Sequence, residues 1–221
     1  MTNNHHSTFM PHSSLVVFDL GRVLVRICDD VAHACRVAGV TAAVVGPLSA
    51  EQRAVVHQYV CAHETGAMDN DEYCRRNAAV FGIPPGDVRA MLDHYILGPC
   101  PGAVELVDEL KARGVPTACL SNTNPAHWRL MYDPRSPAYF PLDRLDHQFA
   151  SQVIKARKPD PAIYAFVERA TGHDPREIVF FDDRPENVDA AVARGWQAHV
   201  VRDATDPIAE VRRYLRTASL L

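Results

Sequence analysis

Short apolar runs alternate with longer amphipathic stretches along this chain, and the alternation predicts the fold class. Leu15-Val16-Val17-Phe18 is an unbroken apolar run that leads straight into Asp19. Runs of this kind mark strands buried on both faces, as in parallel sheets. Further strands are expected at residues 115–120, 147–151, 177–181 and 197–201. Helices are expected between and after them, at residues 102–113, 125–131, 160–171, 185–194 and 207–216. Gly114 and Gly195 each follow the end of one. Residues 133–143 hold three prolines and read as an irregular loop. Strands in regular alternation with helices predict an α/β fold, a doubly wound parallel sheet with right-handed crossovers.

Residues 29–96 have a different texture, with helical spacing throughout. A helix over 30–38 stops at Gly39. A second over 50–63 has Ser49 as its N-cap and Val55, Val56, Tyr59 and Val60 at helical spacing. Asp69 is placed to cap a third that runs to Phe81, with Glu72 in the position of a capping-box partner. Pro84-Pro85-Gly86 separates it from a fourth over 87–95. Residues 23–25 read as a short strand arm before this block.

Composition narrows the class without naming a chemistry. A chain of 221 residues, 47% hydrophobic, can bury one sizeable α/β core plus a small insert. The net charge of −4 gives no reason to expect nucleic acid as a partner. No apolar run approaches the ~20 residues of a membrane span. Residues 1–14 are polar, with no apolar stretch of a secretory signal, and are expected to be a disordered tail despite His5, His6 and His12. None of the six cysteines forms a C-x-x-C pair, which fits buried free thiols in a reducing cytoplasm. Nothing in the pattern specifies an oligomeric state.

Candidate chemistry lies where the apolar runs end. In open α/β sheets, ligands bind at the carboxyl ends of the strands. The first run ends in Asp19, followed by Gly21. The second, Ala118-Cys119-Leu120, ends in Ser121-Asn122. Lys158-Pro159-Asp160-Pro161 opens a helix, and Ile178-Val179-Phe180-Phe181 ends in Asp182-Asp183. No G-x-G-x-x-G follows any strand, which disfavours a dinucleotide site. Each polar group alone could be a turn or helix cap.

The ordered set of Asp, Ser/Asn, Lys and Asp-Asp at strand ends resembles the four motifs of the haloacid dehalogenase-like hydrolase superfamily, and the resemblance runs from Leu15 to about Val201. It implies that residues 15–29 and 97–221 form a Rossmann-like catalytic core and that residues 30–96 are an inserted all-α cap. It implies a cytoplasmic hydrolase that attacks a small phosphorylated substrate through Asp19. Mg²⁺ would be held by Asp19, the Gly21 carbonyl, Asp183 and, directly or one contact removed, Asp182. Ser121, Asn122 and Lys158 would bind the phosphoryl oxygens, and Asn187 would orient a ligand or a metal-bound water. Lys155 and Arg157 are neighbours that could be mistaken for Lys158.

One position departs from the pattern. Phosphatases of this superfamily usually carry a second aspartate two residues after the nucleophile, and here that position is Gly21. The Asp-Leu-Gly start, Leu-Ser-Asn-Thr-Asn and Phe-Phe-Asp-Asp resemble a branch related to bacterial glucose-1-phosphate phosphatase and the N-terminal phosphatase domain of soluble epoxide hydrolases. That implies a sugar phosphate among the possible substrates. L-2-haloacid dehalogenases, which need no metal, also lack the second aspartate and supply one alternative. A binding protein that has lost turnover supplies another. Glu64, His63 and His127 are candidates to replace the missing acid. The stretch 63–68 resembles the cap loop that enters the site in related phosphatases, and could equally be a plain connector between helices.

Overall fold

A computed structural model describes residues 14–41 and 47–221, so the expectation for the N-terminal tail lies almost wholly outside the described residues. Five parallel strands form the central sheet: β1 (Leu15–Phe18), β4 (Thr117–Ser121), β5 (His147–Ala150), β6 (Ile178–Asp182) and β7 (Gln197–Val200). Their spatial order is β5-β4-β1-β6-β7, with β1 in the middle. Val17 pairs with Ala118 on one side and with Phe180 on the other.

Because side chains alternate along a strand, each central strand feeds two cores. Val16, Phe18, Cys119, Val179 and Phe181 face one side. There they pack on α5 (Ala103–Ala112) through Leu106 and Leu110, and on α10 (Pro207–Thr217) through Val211 and Leu215. Leu15, Val17, Leu120 and Phe180 face the other side, against Ile163, Tyr164 and Val167 of α8 (Pro161–Thr171) and Ala191 of α9 (Pro185–Ala193). All four β1 side chains are fully buried, and burial of such a side chain is worth roughly 1.5–3 kcal/mol. Asp19 therefore follows a strand enclosed as completely as its neighbours β4 and β6.

The helical block between β1 and β4 holds α1 (Val31–Val37), α2 (Ala50–Glu64), α3 (Asn70–Phe81) and α4 (Pro85–Asp93). Ser49 and Gln52 form a reciprocal capping box on α2. On α3 the expected box is only half present. The Asp69 carboxylate accepts from the Glu72 backbone N–H, but the Glu72 carboxylate pairs with Arg76 one turn on. Cys35, Cys74, Phe81, Val88, Met91 and Leu92 give this block its own apolar cluster, joined to the core through Ala126 of α6 (Pro125–Tyr132).

The partner of the expected strand arm and one short helical turn were not evident in the sequence. The strand arm lies at β2 (Val25–Ile27), two residues later than expected, because it pairs antiparallel with β3 (Ile96–Pro99). This ribbon joins the helical block to the sheet. α7 (Ser151–Ile154) is a single turn directly after β5. Among the described residues no helix is long and apolar enough to cross a membrane. The six cysteines are free.

Candidate active site

The carboxyl ends of β1, β4 and β6 meet at one point. Asp19 follows the last residue of β1, its N–H fixed by the Phe181 carbonyl of β6 at 2.8 Å. Asp182 is the last residue of β6 and Asp183 the next. Carboxylate oxygens of Asp19, Asp182 and Asp183 lie within 4.8 Å of one another. Ser121 ends β4 and is buried beside them.

Lys158 enters from the segment between α7 and α8. Its side chain is 1% exposed, with Nζ 2.8 Å from Asp19 Oδ1 and 2.6 Å from Asp182 Oδ2. Burial opposes the ammonium charge, but the two carboxylates outweigh it and its pKa is raised. The backbone of Lys158 is gripped from both sides by one side chain. Asn122 Oδ1 accepts from the Lys158 N–H at 2.8 Å, and Asn122 Nδ2 donates to the Lys158 carbonyl at 2.9 Å. Asn122, expected to bind phosphoryl oxygens, thus uses its side chain to place Lys158. The neighbours Lys155 and Arg157 do not take this position: Arg157 Nε donates instead to Glu64 at 2.8 Å.

Asp182 is fully buried and surrounded by donors. Besides Lys158, it accepts from Asn187 Nδ2 at 2.9 and 3.0 Å and from the Arg184 N–H at 2.9 Å. Asn187 therefore orients Asp182, and its own carbonyl accepts from Tyr164 Oη at 2.8 Å. Asp183 is more open, with the Arg22 guanidinium 3.8 Å away. Burial, then the charge of Asp182, holds the Asp183 carboxyl above its ordinary pKa. Burial likewise pushes Asp19 up to about 7, with Lys158 pulling the other way.

This donor set suits a hard divalent cation. Three carboxylates around one ammonium leave negative charge in excess, and all the donors are oxygen, as Mg²⁺ prefers. Asp19 and Asp183 could hold it with oxygens that no donor occupies, whereas the oxygens of Asp182 are already engaged; Gly21, expected to add its carbonyl, lines the same cavity.

A cavity of about 420 Å³ opens from these groups toward the helical block. Asp19, Gly21, Ser121, Lys158 and Asp183 line its floor, and residues of α1 to α4 line its roof. His63 and Glu64 belong to its wall, so the start of the 63–68 stretch does reach the site. The stretch is seated on the sheet domain: Ser151 Oγ donates to the Glu64 carbonyl at 2.6 Å. Gly66 (φ +67) packs so closely on α7 that a Cβ there would lie 2.9 Å from the Gln152 carbonyl. The candidate acid His127 is fully occupied. Its Nδ1 meets Asn124, its Nε2 meets the Leu92 carbonyl at 3.0 Å, and burial drops its pKa to about 4. The Arg157–Glu64 pair and Arg22 were missed by motif reasoning, because neither lies at a strand end.

Fold and acid cluster together define a Rossmann-like α/β enzyme built around a carboxylate at a strand end. The sequence profile of the haloacid dehalogenase-like hydrolases matches residues 15–195, and the chain belongs to that family. A sesquiterpene phosphatase of Aspergillus oryzae is 26% identical over 152 residues, 68% of this chain and 76% of that protein. Phosphatase MT3486 of Mycobacterium tuberculosis is 31% identical over 103 residues, 46% of this chain and 45% of its own length. In structure, the chain is similar to the haloacid dehalogenase family enzyme BT-2542 of Bacteroides thetaiotaomicron, solved with magnesium and inorganic phosphate. The TM-score is 0.73 at 20% identity, over 90% of this chain and 98% of that one.

Proposed function

We propose that this hydrolase is a Mg²⁺-dependent phosphatase that cleaves a small phosphoric monoester through an aspartyl-phosphate on Asp19. The observation that carries the reading is the contact of Lys158 Nζ with both Asp19 and Asp182, beside a third carboxylate, Asp183. Asp19 attacks phosphorus, the ester P–O bond breaks, and the departing alkoxide or phenoxide takes its proton from solvent water. Water then cleaves the aspartyl-phosphate, which releases inorganic phosphate and restores Asp19. Lys158 holds Asp19 in line and stabilises the charge on the transferring group. Ser121 offers its hydroxyl to a phosphoryl oxygen. A bound Mg²⁺ would neutralise the phosphoryl charge and so relieve repulsion between two anions.

The resemblance to sugar-phosphate phosphatases supports a sugar phosphate within this class, and the free cysteines support a reducing compartment such as the cytoplasm. Dehalogenation is less well supported, because a metal-free site gains nothing from Asp183 crowded against Asp19 and Asp182. A binding protein without turnover would have no use for Lys158 poised on Asp19.

The test is Asp19→Asn, assayed with p-nitrophenyl phosphate in Mg²⁺ and in EDTA. Loss of the nucleophile should lower turnover on the order of 10⁴-fold or more, and EDTA should abolish wild-type turnover. Substantial turnover in either case would end this mechanism.

A further inference from the structure

The cavity above Asp19 has two unlike walls. Its floor, from the strand ends, is polar and charged. Its roof is apolar: Val31 from α1, Val56 and Val60 from α2, Phe81 from α3, Met91 and Leu92 from α4. Of the polar side chains on this side of the cavity, His63, Glu64 and His127 are committed, while Asp30 and the rings of Tyr73 and Tyr95 also line it. His63 Nε2 is bound to Asn70 Oδ1 at 2.8 Å, and its ring stacks on Tyr73 at 4.3 Å. Glu64 is paired with Arg157, and both ring nitrogens of His127 are occupied. A sugar buried against the valines, Phe81, Met91 and Leu92 would lose water from its hydroxyls and find chiefly the Tyr73 and Tyr95 hydroxyls in return, a costly exchange. A hydrocarbon would lose nothing polar and would gain burial.

We infer that the physiological substrate is the monophosphate ester of an apolar alcohol, with its phosphate on Asp19 and Lys158 and its hydrocarbon against the roof formed by α1 to α4. This rests on the phosphatase reading above and replaces the sugar with an aliphatic or isoprenoid-like chain. Leu92 and Met91 put the recognition on the helical block, so the sheet domain supplies the chemistry and the block supplies the choice of substrate. The half-buried positions Val56 and Val60 lie in the roof without being needed for the packing of the sheet.

The experiment uses 4-alkylphenyl phosphates with methyl, butyl and octyl chains. The leaving phenol keeps nearly the same acidity along this series, so chain length reports burial alone. Each methylene buried should raise kcat/KM by about fourfold until the cavity is filled. A rise of at least about tenfold from methyl to butyl, with glucose 1-phosphate below the butyl compound, is the expected result. A smaller rise, or glucose 1-phosphate above the butyl compound, would overturn the inference. Val60→Glu should reduce the butyl-to-methyl ratio by about tenfold or more, while Val60→Met keeps it near the wild-type value. Thermal melts of both variants show whether the fold is intact.

Alkylphosphonates, which cannot be hydrolysed, separate this inference from its parent. If calorimetry shows binding that tightens with chain length while no phosphate ester is turned over, the phosphatase reading falls and the apolar pocket stands. If p-nitrophenyl phosphate is turned over and phosphonate binding ignores chain length, the phosphatase reading stands and the apolar substrate falls.

Discussion

The floor and the roof of the cavity are built on opposite principles. The floor is made of side chains that hold one another: Asn187 holds Asp182, Asp182 holds Lys158, Lys158 holds Asp19, and Asn122 holds the Lys158 backbone. Asp182, Lys158 and the Asn122 amide have fixed partners, so these charges are in place before substrate arrives, as electrostatic catalysis requires. The roof is held by apolar contact, which is non-directional and tolerates substitution of similar volume. A chemistry that must not change is thus fixed by geometry. A preference that can drift is set by shape.

Several substitutions would break or sharpen that contrast. The largest effect is expected in the floor. Lys158→Ala should lower kcat on the order of 10²–10³-fold, and added Mg²⁺ should not restore it. Asp183→Ala should lower the rate in a way that excess Mg²⁺ partly restores. Equal rescue in Mg²⁺ titrations would show that the two roles are wrongly divided.

Gly21 offers a smaller effect at the border of the two regions. A Cβ there would meet only the Ile27 side chain, its flexible end Cδ1 at 3.3 Å and Cγ2 at 3.9 Å, so Gly21→Asp fits once Cδ1 gives by a few tenths of an ångström. Without an acid at this position, turnover by the wild type should fall as leaving-group pKa rises. Gly21→Asp should flatten that slope and raise the rate for alkyl esters about tenfold or more. Rates over a series of substituted phenyl and alkyl phosphates read the slope directly. Identical slopes in both proteins would place an acid elsewhere.

The smallest effect tests how tightly the roof is seated. His127 lies under α4 and stays neutral in the fold, with a pKa of about 4 against an ordinary value of 6.5. Below pH 6.5 the unfolded chain takes up a proton that the folded chain refuses. Stability should therefore decline as pH falls from 6.5 toward 4, by about 1–3 kcal/mol, and His127→Gln should remove that part of the slope. Urea unfolding at pH 7 and pH 4.5 measures both.

The same contrast explains how much could be read from sequence. Asp19, Ser121 and Asp183 were legible because three apolar runs pointed to one sheet edge, and Lys158 because Lys-Pro-Asp-Pro opens a helix in the expected order. The helices α1 to α4 were legible as helices from spacing, caps and the proline break, but their shared cavity was not. Val56 and Met91 come to line one cavity through tertiary packing that no local pattern encodes. Of the β2–β3 ribbon the first arm was expected, two residues early, but its partner was missed, since Ile96-Leu97-Gly98-Pro99 becomes a strand only when Val25–Ile27 lies beside it. Asn122 and Asn187 were found as site residues, yet their partners, the Lys158 backbone and Asp182, emerge only in three dimensions.

Ser151 carries a consequence for motion. Its hydroxyl accepts from the Thr123 N–H at 2.9 Å, and its single proton has two acceptors in reach: the Glu64 carbonyl at 2.6 Å and the Thr123 carbonyl at 3.1 Å. One acceptor belongs to the helical block and the other to the sheet domain. If the block swings away, the proton turns to Thr123 and no donor is orphaned, so the usual penalty of about 1–3 kcal/mol for a stranded buried group does not arise. At this hydroxyl, then, separating the two regions would strand no donor, and the cost of opening would fall on other contacts such as the Arg157–Glu64 pair.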